Sequence, residues 1–406
     1  MKPLKGNQYF FRHQQMDFET QCALGGCCYG AAEAGEILAA AKRIRDGDFE
    51  SWFREYFALA ERTRAAAELC AAAGNAVSAR EAYLRASAYY ALANVMVDGS
   101  DDPSRLLATF ELHRSCWDGF CSRLEPPAER VEVPFSPVPL PGYFFRPAAV
   151  RGSFPAVIFN NGSDGPISGM WGCGIAGALR RGYAAFTFDG PGQNTLLWRH
   201  GVPFRPDWEK VIAPVVDYLA GRPAVDAGRI ALSGISQGGY WVLRAAAFER
   251  RIAAVIADPG VMDVSRAITA NVPAPMLRLL EAGREEAFNR EMRLALRVMG
   301  KAVRQNIAFR MKPYGTDNYF RWITEARKYH LRDVISQIRC PAFIADPEDE
   351  QFWPGQPREV YEALACPKTL VPFTAAEGAN WHCEPLARAL YDQRLFDWLA
   401  SVLPVS

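Results

Sequence analysis

The sequence predicts an α/β protein whose doubly wound, mostly parallel sheet follows an N-terminal helical domain. Three observations predict this class. Helical periodicity fills residues 1–128, the period changes to two beyond Pro126 and Pro127, and apolar runs of strand length then alternate with helical stretches. That β-α-β-α order produces a parallel sheet with helices on both faces. We expect four segments: a helical cap domain over 1–128, a first part of the sheet core over 129–264, a helical lid insertion over 265–335 and the rest of the core over 336–406.

The N-terminal domain is predicted to contain four helices, at 31–45, 49–73, 78–97 and 104–124. They are rich in alanine and place aromatic residues close to helical spacing. Ser78, with Glu81 three residues later, matches a capping box at the start of the third helix. We expect Tyr83, Tyr89 and Tyr90 of that helix to pack between helices rather than to line a ligand site.

The core is predicted to contain eight short strands, at 131–134, 143–145, 156–159, 183–188, 230–232, 253–257, 341–345 and 369–371. Helices are expected at 175–181, 208–220, 240–248, 358–365 and 386–399. The strand at 156–159 is continuously apolar, which is typical of a central strand buried on both faces. The helical residues 265–335 interrupt the alternation, and an insertion at this place predicts a lid over the strand ends.

Composition narrows the class of protein. Half of the 406 residues are hydrophobic and the formal net charge is only +1, so nothing favours binding to nucleic acid or to a membrane surface. No apolar run approaches the ~18 residues of a membrane span, and the first residues lack the apolar segment of a secretory signal. The ten cysteines are scattered without metal-ligand spacing, which favours free thiols in a reducing compartment. We expect a soluble cytoplasmic protein without metal or cofactor.

The stretch Arg229–Trp241 carries the strongest functional motif. Its apolar strand leads into Gly234-Ile235-Ser236-Gln237-Gly238, and a helix follows. This arrangement is typical of a nucleophile elbow, in which a serine sits on a strained strand-to-helix turn between small residues. The N–H of Gln237 would then point at the oxyanion of a tetrahedral intermediate. A plain turn is the alternative interpretation of the same motif.

A nucleophilic serine needs a base and an orienting acid, which follow the serine in the chain order Ser, Asp/Glu, His. Of the five histidines, only His382 comes after the last predicted strands. Four carboxylates cluster directly after the strand at 341–345, and the usual spacing selects Asp349 as the acid, with Glu350 as the alternative.

The remaining site residues are predicted from their positions after strands. The loop after the strand at 156–159 is expected to supply the second oxyanion N–H, that of Ser163, with Gly162 permitting the close approach. A simple turn is the alternative interpretation of the same loop residues. The predicted substrate contacts are Gly162, Asp164, Asp189, Asp258 and Trp381.

Longer motifs resemble one group of α/β-hydrolases. These motifs are S-A-R-E-A-Y-L-R-A-S-A-Y-Y-A-L-A at 78–93, F-D-G-P-G-Q at 188–193, G-I-S-Q-G-G-Y at 234–240 and E-G-A-N-W-H-C at 377–383. They are similar to segments of 2,6-dihydroxypseudooxynicotine hydrolase and of fungal polyketide-shortening hydrolases of pigment pathways, and more distantly of the fermentation-respiration switch protein. The resemblance begins near residue 40 and covers nearly all of the chain beyond it.

The resemblance implies the α/β-hydrolase fold and a cytoplasmic serine hydrolase that is often a homodimer. Several members of the group cleave a carbon–carbon bond beside a ketone and enclose an aromatic or polyketide substrate beneath the helical regions. The loop N-N-G-S-D-G at 160–165 departs from the G-G pattern of the nicotine-pathway enzyme, so the substrate itself is not implied.

Three functions therefore stand at this point. The first is a serine hydrolase that cleaves a C–C or ester bond of a small molecule through an acyl-enzyme on Ser236. The second is an acyltransferase or thioesterase that uses the same triad. The third, from another class, is a non-catalytic partner-binding protein on a hydrolase scaffold.

Overall fold

The computed structural model of the protein describes residues 8–148, 152–270 and 272–405. Within these ranges one eight-stranded sheet has the strand order β1-β2-β4-β3-β5-β6-β7-β8. The strands are β1 (Glu129–Val133), β2 (Leu140–Phe145), β3 (Phe154–Asn160), β4 (Ala184–Phe188), β5 (Val225–Ile235), β6 (Ile252–Asp258), β7 (Ala342–Pro347) and β8 (Lys368–Phe373). The pairs β1–β2 and β2–β4 are antiparallel, and the other pairs are parallel. The doubly wound, mostly parallel sheet predicted from the sequence is confirmed.

Helices cover both faces of this sheet and form the N-terminal region. They are α1 (Gln14–Gly25), α2 (Ala34–Ala41), α3 (Phe49–Ala72), α4 (Ala76–Asn94), α5 (Arg105–Cys121), α6 (Ala176–Arg180), α7 (Asn194–His200), α8 (Glu209–Ala220), α9 (Gly238–Phe248), α10 (Ser265–Thr269), α11 (Ala274–Glu281), α12 (Glu285–Val298), α13 (Lys301–Met311), α14 (Tyr319–Ala326), α15 (Gln356–Ala363) and α16 (Arg388–Val402). No helix in the described ranges is long and apolar enough to cross a membrane.

The central strands are buried along their whole length. Every residue of β3, β4 and β7 is buried, which explains why these strands have continuous apolar runs instead of alternation. The registers of β3, β5 and β6 align Asn160 with Gly234, and Ile235 with Asp258. The carboxyl ends of the parallel strands therefore meet at one edge of the sheet, where the loops that follow them lie side by side.

The N-terminal helices pack around aromatic side chains. Trp52 and Tyr56 of α3 and Tyr89 and Tyr90 of α4 are fully or almost fully buried in one apolar cluster. The indole N–H of Trp52 donates to the carbonyl oxygen of Leu92 at 2.7 Å, which satisfies its polar group inside this cluster. The expectation that the tyrosines of α4 belong to a helix–helix core is confirmed.

The predicted capping box of α4 is wrong. The helix begins at Ala76, two residues earlier than expected, with Asn75 as its N-cap. The N–H of Ala79 already donates to the carbonyl oxygen of Asn75, so Ser78 lies inside the first turn. The motif is present in the sequence, but the first helical turn forms ahead of it.

The helix α1 was not identified as a separate element from the sequence, and it connects the N-terminal region to the core. Oδ1 of Asp17 accepts hydrogen bonds from three successive backbone N–H groups, those of residues 9–11, which fixes the chain before the helix. Beyond α1, the hydroxyl of Tyr29 donates to Asp392 of α16. The carbonyl oxygen of Tyr29 accepts from the indole of Trp171 at 3.0 Å. This region is therefore packed directly onto the sheet domain.

The helices α10–α14 lie between β6 and β7, where an insertion was expected. We call residues 265–335 the helical insertion. It has a small apolar core of its own, which includes Phe288, Trp322 and Ile323. Polar contacts join it to the rest of the protein, among them Lys312 with Asp98 at 2.6 Å. The insertion therefore contacts the N-terminal region across the carboxyl edge of the sheet.

One glycine of α9 tests how tightly this helix packs behind the Ser236 turn. A Cβ atom on Gly239 would lie 2.0 Å from the carbonyl oxygen of Pro259, so Gly239→Ala must displace backbone. We expect a loss of about 1–3 kcal/mol in the free energy of unfolding, measured by thermal or urea denaturation. The matched control is Gly35→Ala in α2, where no atom lies within 4 Å and stability should rise by up to about 1 kcal/mol. Equal melting temperatures for the two variants would contradict the packing.

Candidate active site

The serine predicted as nucleophile lies on a strained turn between β5 and α9. Ser236 has a φ of 57°, in the left-handed region that residues with a side chain rarely adopt. Its N–H donates to the carbonyl oxygen of Asp258 at 2.6 Å, and its own carbonyl oxygen accepts from the N–H of Gly239 at 2.9 Å. The neighbouring strand and the following helix thus hold the turn in this conformation.

A hydrogen-bonded chain runs from this serine through a histidine to a carboxylate. The Oγ of Ser236 lies 2.9 Å from Nε2 of His382. The other ring nitrogen, Nδ1, lies 2.8 Å and 2.9 Å from the two carboxylate oxygens of Glu350. Because Nδ1–H donates to the carboxylate, Nε2 is the nitrogen left to accept the serine proton. The imidazole is 3% exposed, so this arrangement is shielded from solvent.

The structure corrects the predicted acid, because Glu350 rather than Asp349 contacts His382. Asp349 is exposed, and its carboxylate accepts instead from the side-chain amide of Asn380 at 2.6 Å. Successive side chains in this loop leave the chain on different sides, and the longer glutamate reaches the imidazole. The spacing rule assumed an aspartate one position earlier. Glu350, which the sequence offered as the alternative acid, is thus the residue that contacts His382.

Glu350 is held as an anion by its surroundings. Burial opposes its ionisation, but the charge and hydrogen bond of His382 outweigh burial and lower the pKa of Glu350. The backbone N–H groups of Phe352 and Trp353 add to this effect by donating to Oε1 at 2.9 Å and 3.1 Å. A charged carboxylate at this position can stabilise an imidazolium when one forms.

The loop after β3 packs against the nucleophile, as the sequence predicted for Gly162. A Cβ atom on Gly162 would lie only 2.9 Å from the Cβ of Ser236. The N–H of Gly162 is already bonded to the side chain of Asn161 at 2.8 Å. By contrast, the N–H groups of Ser163 and Gln237 have no hydrogen-bond acceptor among the described residues. These two N–H groups, proposed from the sequence as the oxyanion hole, are therefore available to a ligand.

Gln193 supports this loop, a role that the sequence did not reveal. Its side-chain amide donates to the carbonyl oxygens of Asn161 at 2.9 Å and of Gly162 at 2.7 Å. Its own amide oxygen accepts from the N–H of Gly190 at 2.7 Å. Gln193 of the D-G-P-G-Q motif thus holds the loop after β3 in place.

Two of the predicted substrate contacts are wrong. Asp189 is fully buried and accepts from Arg114 at 3.1 Å and from the hydroxyl of Thr195 at 2.6 Å. Asp258 is 1% exposed, and its carboxylate accepts from Arg388 at 2.9 Å. Asp258 ends β6 and Asp189 directly follows β4, both at the expected edge, but each carboxylate turns inward to a buried cation. A buried carboxylate needs such a partner, which leaves neither side chain available to a substrate.

Two more of the predicted contacts, Asp164 and Trp381, lie at the edge of the site. Asp164 is partly buried and accepts from the hydroxyl of Ser163 at 2.9 Å and from Arg310 of the helical insertion at 3.1 Å. Trp381, beside His382, is partly exposed, and its indole nitrogen has no acceptor within the described part of the chain. Direct contact of Gly162, Asp164 or Trp381 with a substrate remains a prediction.

Arg388 joins the two halves of the catalytic edge. One of its terminal nitrogens donates to the carboxylate of Asp258 and to the carbonyl oxygen of Cys383, each at 2.9 Å. The carbonyl oxygen of Asp258 accepts from the N–H of Ser236, and Cys383 directly follows His382. One guanidinium therefore connects the two segments that carry Ser236 and His382. Glu384 lies beside the pair and is fully buried. Burial and the nearby Asp258 raise the pKa of Glu384 well above its usual range, although Arg388, 3.4 Å from its carboxylate, opposes the shift.

Aromatic rings lie close to the imidazole of His382. The ring of Phe352 lies 4.6 Å from that of His382, edge to face, and Trp353 lies 5.7 Å away. Phe18 of α1 lies 6.2 Å from the imidazole and 6.3 Å from Phe352. The contribution of α1 to this wall was missed from the sequence. Among the described residues no group of three or more His, Cys, Asp or Glu is arranged to hold a metal ion.

Comparison with known proteins agrees with this geometry. A family model described as the prolyl oligopeptidase family matches residues 180–295, which include the Ser236 turn. The chain is 30% identical over 399 residues to hydrolase LUC6 of a Fusarium species, covering 94% of this chain and 95% of that protein. It is 34% identical over 370 residues to α/β hydrolase psoB of Aspergillus fumigatus, covering 82% and 79%. The chain belongs to the α/β-hydrolases.

Two further relatives of this α/β-hydrolase match along nearly its whole length. The 20-hydroxy-prefusarin hydrolase FUS2 of Gibberella moniliformis is 29% identical over 412 residues, covering 97% of this chain and 98% of that protein. The crystal structure of 2,6-dihydroxy-pseudo-oxynicotine hydrolase superposes with a TM-score of 0.74 at 24% identity, covering 93% and 95%. The second likeness shows the shared fold. The resemblance inferred from the sequence motifs is confirmed.

The identity of the acid in this α/β-hydrolase can be tested with two neighbouring isosteric changes. Glu350→Gln keeps the shape but removes the charge that orients and stabilises His382. We expect it to slow labelling of Ser236 by a fluorophosphonate by about 10²–10⁴-fold, measured by intact-protein mass spectrometry. Asp349→Asn is the control and should label at nearly the wild-type rate. The assignment fails if Asp349→Asn is the slower variant.

Replacement of Arg388 tests its role in holding the catalytic edge together. Arg388→Met keeps the aliphatic stem but leaves the buried carboxylate of Asp258 without its cation. Removing one partner of a buried ion pair costs about 3–5 kcal/mol, so we expect a clear fall in melting temperature. Arg394→Met on the same helix is the control. It breaks the exposed pair with Glu377 and a hydrogen bond to the carbonyl oxygen of Pro372, and exposed pairs contribute about 0–1 kcal/mol. Equal losses in the two variants would rule out the special role of Arg388.

Proposed function

We propose that this α/β-hydrolase is a serine hydrolase that forms an acyl-enzyme on Ser236 with an aromatic or polyketide-like carbonyl substrate. One observation carries the proposal. The Oγ of Ser236 lies 2.9 Å from Nε2 of His382, while Glu350 holds the opposite ring nitrogen. A serine in this setting loses its proton to the imidazole as it attacks a carbonyl carbon.

The remaining groups of the site support each later step. In this mechanism the N–H groups of Gln237 and Ser163 stabilise the oxyanion of the tetrahedral intermediate. His382 then gives its proton to the leaving group as that bond breaks, and an ester of Ser236 is formed. A water molecule attacks this ester with the help of the same imidazole, releases the acid and restores the serine.

The leaving group limits which bonds can be cleaved. An alkoxide or thiolate accepts the proton of His382 directly, as in an ester or thioester. A carbon leaving group must be stabilised by an adjacent ketone or an electron-rich aryl ring, since the proposed site supplies only hydrogen bonds and a proton. The aromatic wall of Phe18, Phe352 and Trp353 supports a flat apolar substrate. Cleavage of a C–C bond beside a ketone fits the resemblance to the polyketide-shortening hydrolases.

A serine-directed probe tests the proposal whatever the natural substrate is. We expect a fluorophosphonate to add one phosphonyl group to the protein, with loss of fluoride, at Ser236. Ser236→Ala should abolish this mass increase. Ser163→Ala is the matched control, because it removes only a hydroxyl and keeps the backbone N–H, so the label should persist. A folded wild-type protein that stays unlabelled would favour a non-catalytic binding protein.

The fate of the acyl group is tested by the same mass measurement. Candidate aryl ketones, esters and thioesters are mixed with the protein, and intact mass is followed with time. An adduct on Ser236 that disappears in water indicates a hydrolase. An adduct that persists until a second nucleophile is added indicates an acyltransferase. The homodimer and the cytoplasmic location implied by the resemblance remain predictions.

A further inference from the structure

A cavity lies between the N-terminal helices and the loop that follows β3. Side chains of α4, α5, α7 and α13 form its wall together with Asp164 and Pro166 of this loop. Asp164 directly follows Ser163, the proposed oxyanion donor. It also lies two residues after Gly162, which packs against Ser236. The cavity therefore adjoins the proposed catalytic site, and the N-terminal region, the sheet domain and the helical insertion all border it.

Most of the cavity wall is apolar. Its aromatic side chains are Phe110 of α5, Trp198 of α7 and Phe309 of α13. The rings of Phe110 and Trp198 meet edge to face, with their centroids 4.9 Å apart. Walls of this kind accept a flat apolar group, and the few polar side chains among them then decide which ligand fits.

Asn94 of α4 contributes an unpaired acceptor to this wall. The side chain is 8% exposed, and its amide nitrogen donates to the carbonyl oxygen of Leu106 at 3.1 Å. Because a carbonyl oxygen only accepts, this contact fixes which end of the amide is the oxygen. That oxygen, Oδ1, has no hydrogen-bond partner among the described residues. A ligand with a hydrogen to donate would satisfy it.

His113 of α5 contributes a second unpaired acceptor. The imidazole is 2% exposed, and burial lowers its pKa to about 3, so the ring is neutral. Its Nδ1 lies 3.0 Å from the carbonyl oxygen of Ser87, while the hydroxyl of Ser87 donates to the carbonyl oxygen of His113 at 3.0 Å. Nδ1 therefore carries the ring hydrogen, and Nε2 is left with a lone pair. Within the described part of the chain, Nε2 has no donor.

We propose that this cavity is a subsite for a hydroxylated aryl end of the substrate, whose O–H group donates to Nε2 of His113 or to Oδ1 of Asn94. Both unpaired atoms are acceptors, so they favour a phenol or an alcohol over an ether, a ketone or a bare ring, which have no such hydrogen to give. This inference rests on the proposed function, and it narrows the aromatic or polyketide-like substrate to one that carries a free hydroxyl group.

Two pairs of esters test the subsite, and the members of each pair differ by one hydroxyl group. In the first pair it lies in the acyl part, in the 4-nitrophenyl esters of 3-(4-hydroxyphenyl)propanoate and 3-phenylpropanoate. In the second it lies in the leaving group, in 6-hydroxy-2-naphthyl acetate and 2-naphthyl acetate. We expect the wild type to prefer the hydroxylated ester of one pair by about tenfold in kcat/KM, because the other ester leaves a buried acceptor unpaired. The pair that shows the preference identifies the part of the substrate that enters the cavity.

Two substitutions remove the acceptors one at a time. His113→Phe keeps an aromatic ring without Nε2, and Asn94→Leu keeps a branched side chain without Oδ1. We expect the preference to fall about tenfold, to near one, in the variant that removes the acceptor used by the hydroxyl group. The matched control is Ser87→Ala, which alters the contact behind the imidazole but keeps both acceptors, so the preference should persist. A purely structural role would lower kcat/KM for both esters of a pair equally.

A binding measurement tests the same subsite without catalysis. By calorimetry, the wild type should bind 2-naphthol about tenfold more tightly than naphthalene, and the same variant should lose this difference. Equal affinities, or a preference unchanged in both variants, would mean that the cavity holds an ordered water only and would overturn the proposal. Fluorophosphonate labelling is measured in parallel. A wild-type protein that stays unlabelled rejects the proposed function, whereas labelled protein without a hydroxyl preference in either ester pair rejects only the subsite.

Discussion

The hydrogen bond from the N–H of Ser236 to the carbonyl oxygen of Asp258 is the constraint on which the active site depends. It ties a left-handed residue to the end of the neighbouring strand, and a turn of this kind persists only when its surroundings hold it. Arg388 donates to the carboxylate of Asp258 and also to the carbonyl oxygen of Cys383, the residue after His382. Ser236 and His382, 146 residues apart in sequence, therefore share one buried anchor.

Ser236 and His382 were predictable because the sequence carries local reasons for their positions. The turn needs glycines around a serine, and the order of elements leaves one histidine after the last strands. No such local reason in the sequence decides between Asp349 and Glu350 as the acid. Asp349 and Glu350 are adjacent, and which of them enters the site depends on how the loop after β7 turns. Asn380 donates a hydrogen bond to Asp349, and His382 is hydrogen-bonded to Glu350. Both partners come from a distant loop.

The remaining errors have the same physical origin. A position at the end of a parallel strand predicts that a residue lies at the catalytic edge, but not where its side chain points. Asp189 and Asp258 turn inward because Arg114 and Arg388 are buried beside them, and nothing in the local sequence signals those cations. The helix α1 was missed for a related reason. Its sequence is polar with little segregation of apolar residues, so only tertiary packing shows which face meets the triad.

The helix α1, which contributes Phe18 to the aromatic wall, is distant in sequence from the Ser236 turn. The residues of the proposed triad lie between 236 and 382, whereas Phe18 is supplied by a segment more than two hundred positions upstream of the serine. Sequence drift in that first helix can reshape the aromatic wall beside His382 without disturbing the strained turn at Ser236 or its hydrogen bond to the imidazole. Related chains that share the reaction can thus diverge in the molecules they accept through changes near the amino terminus alone.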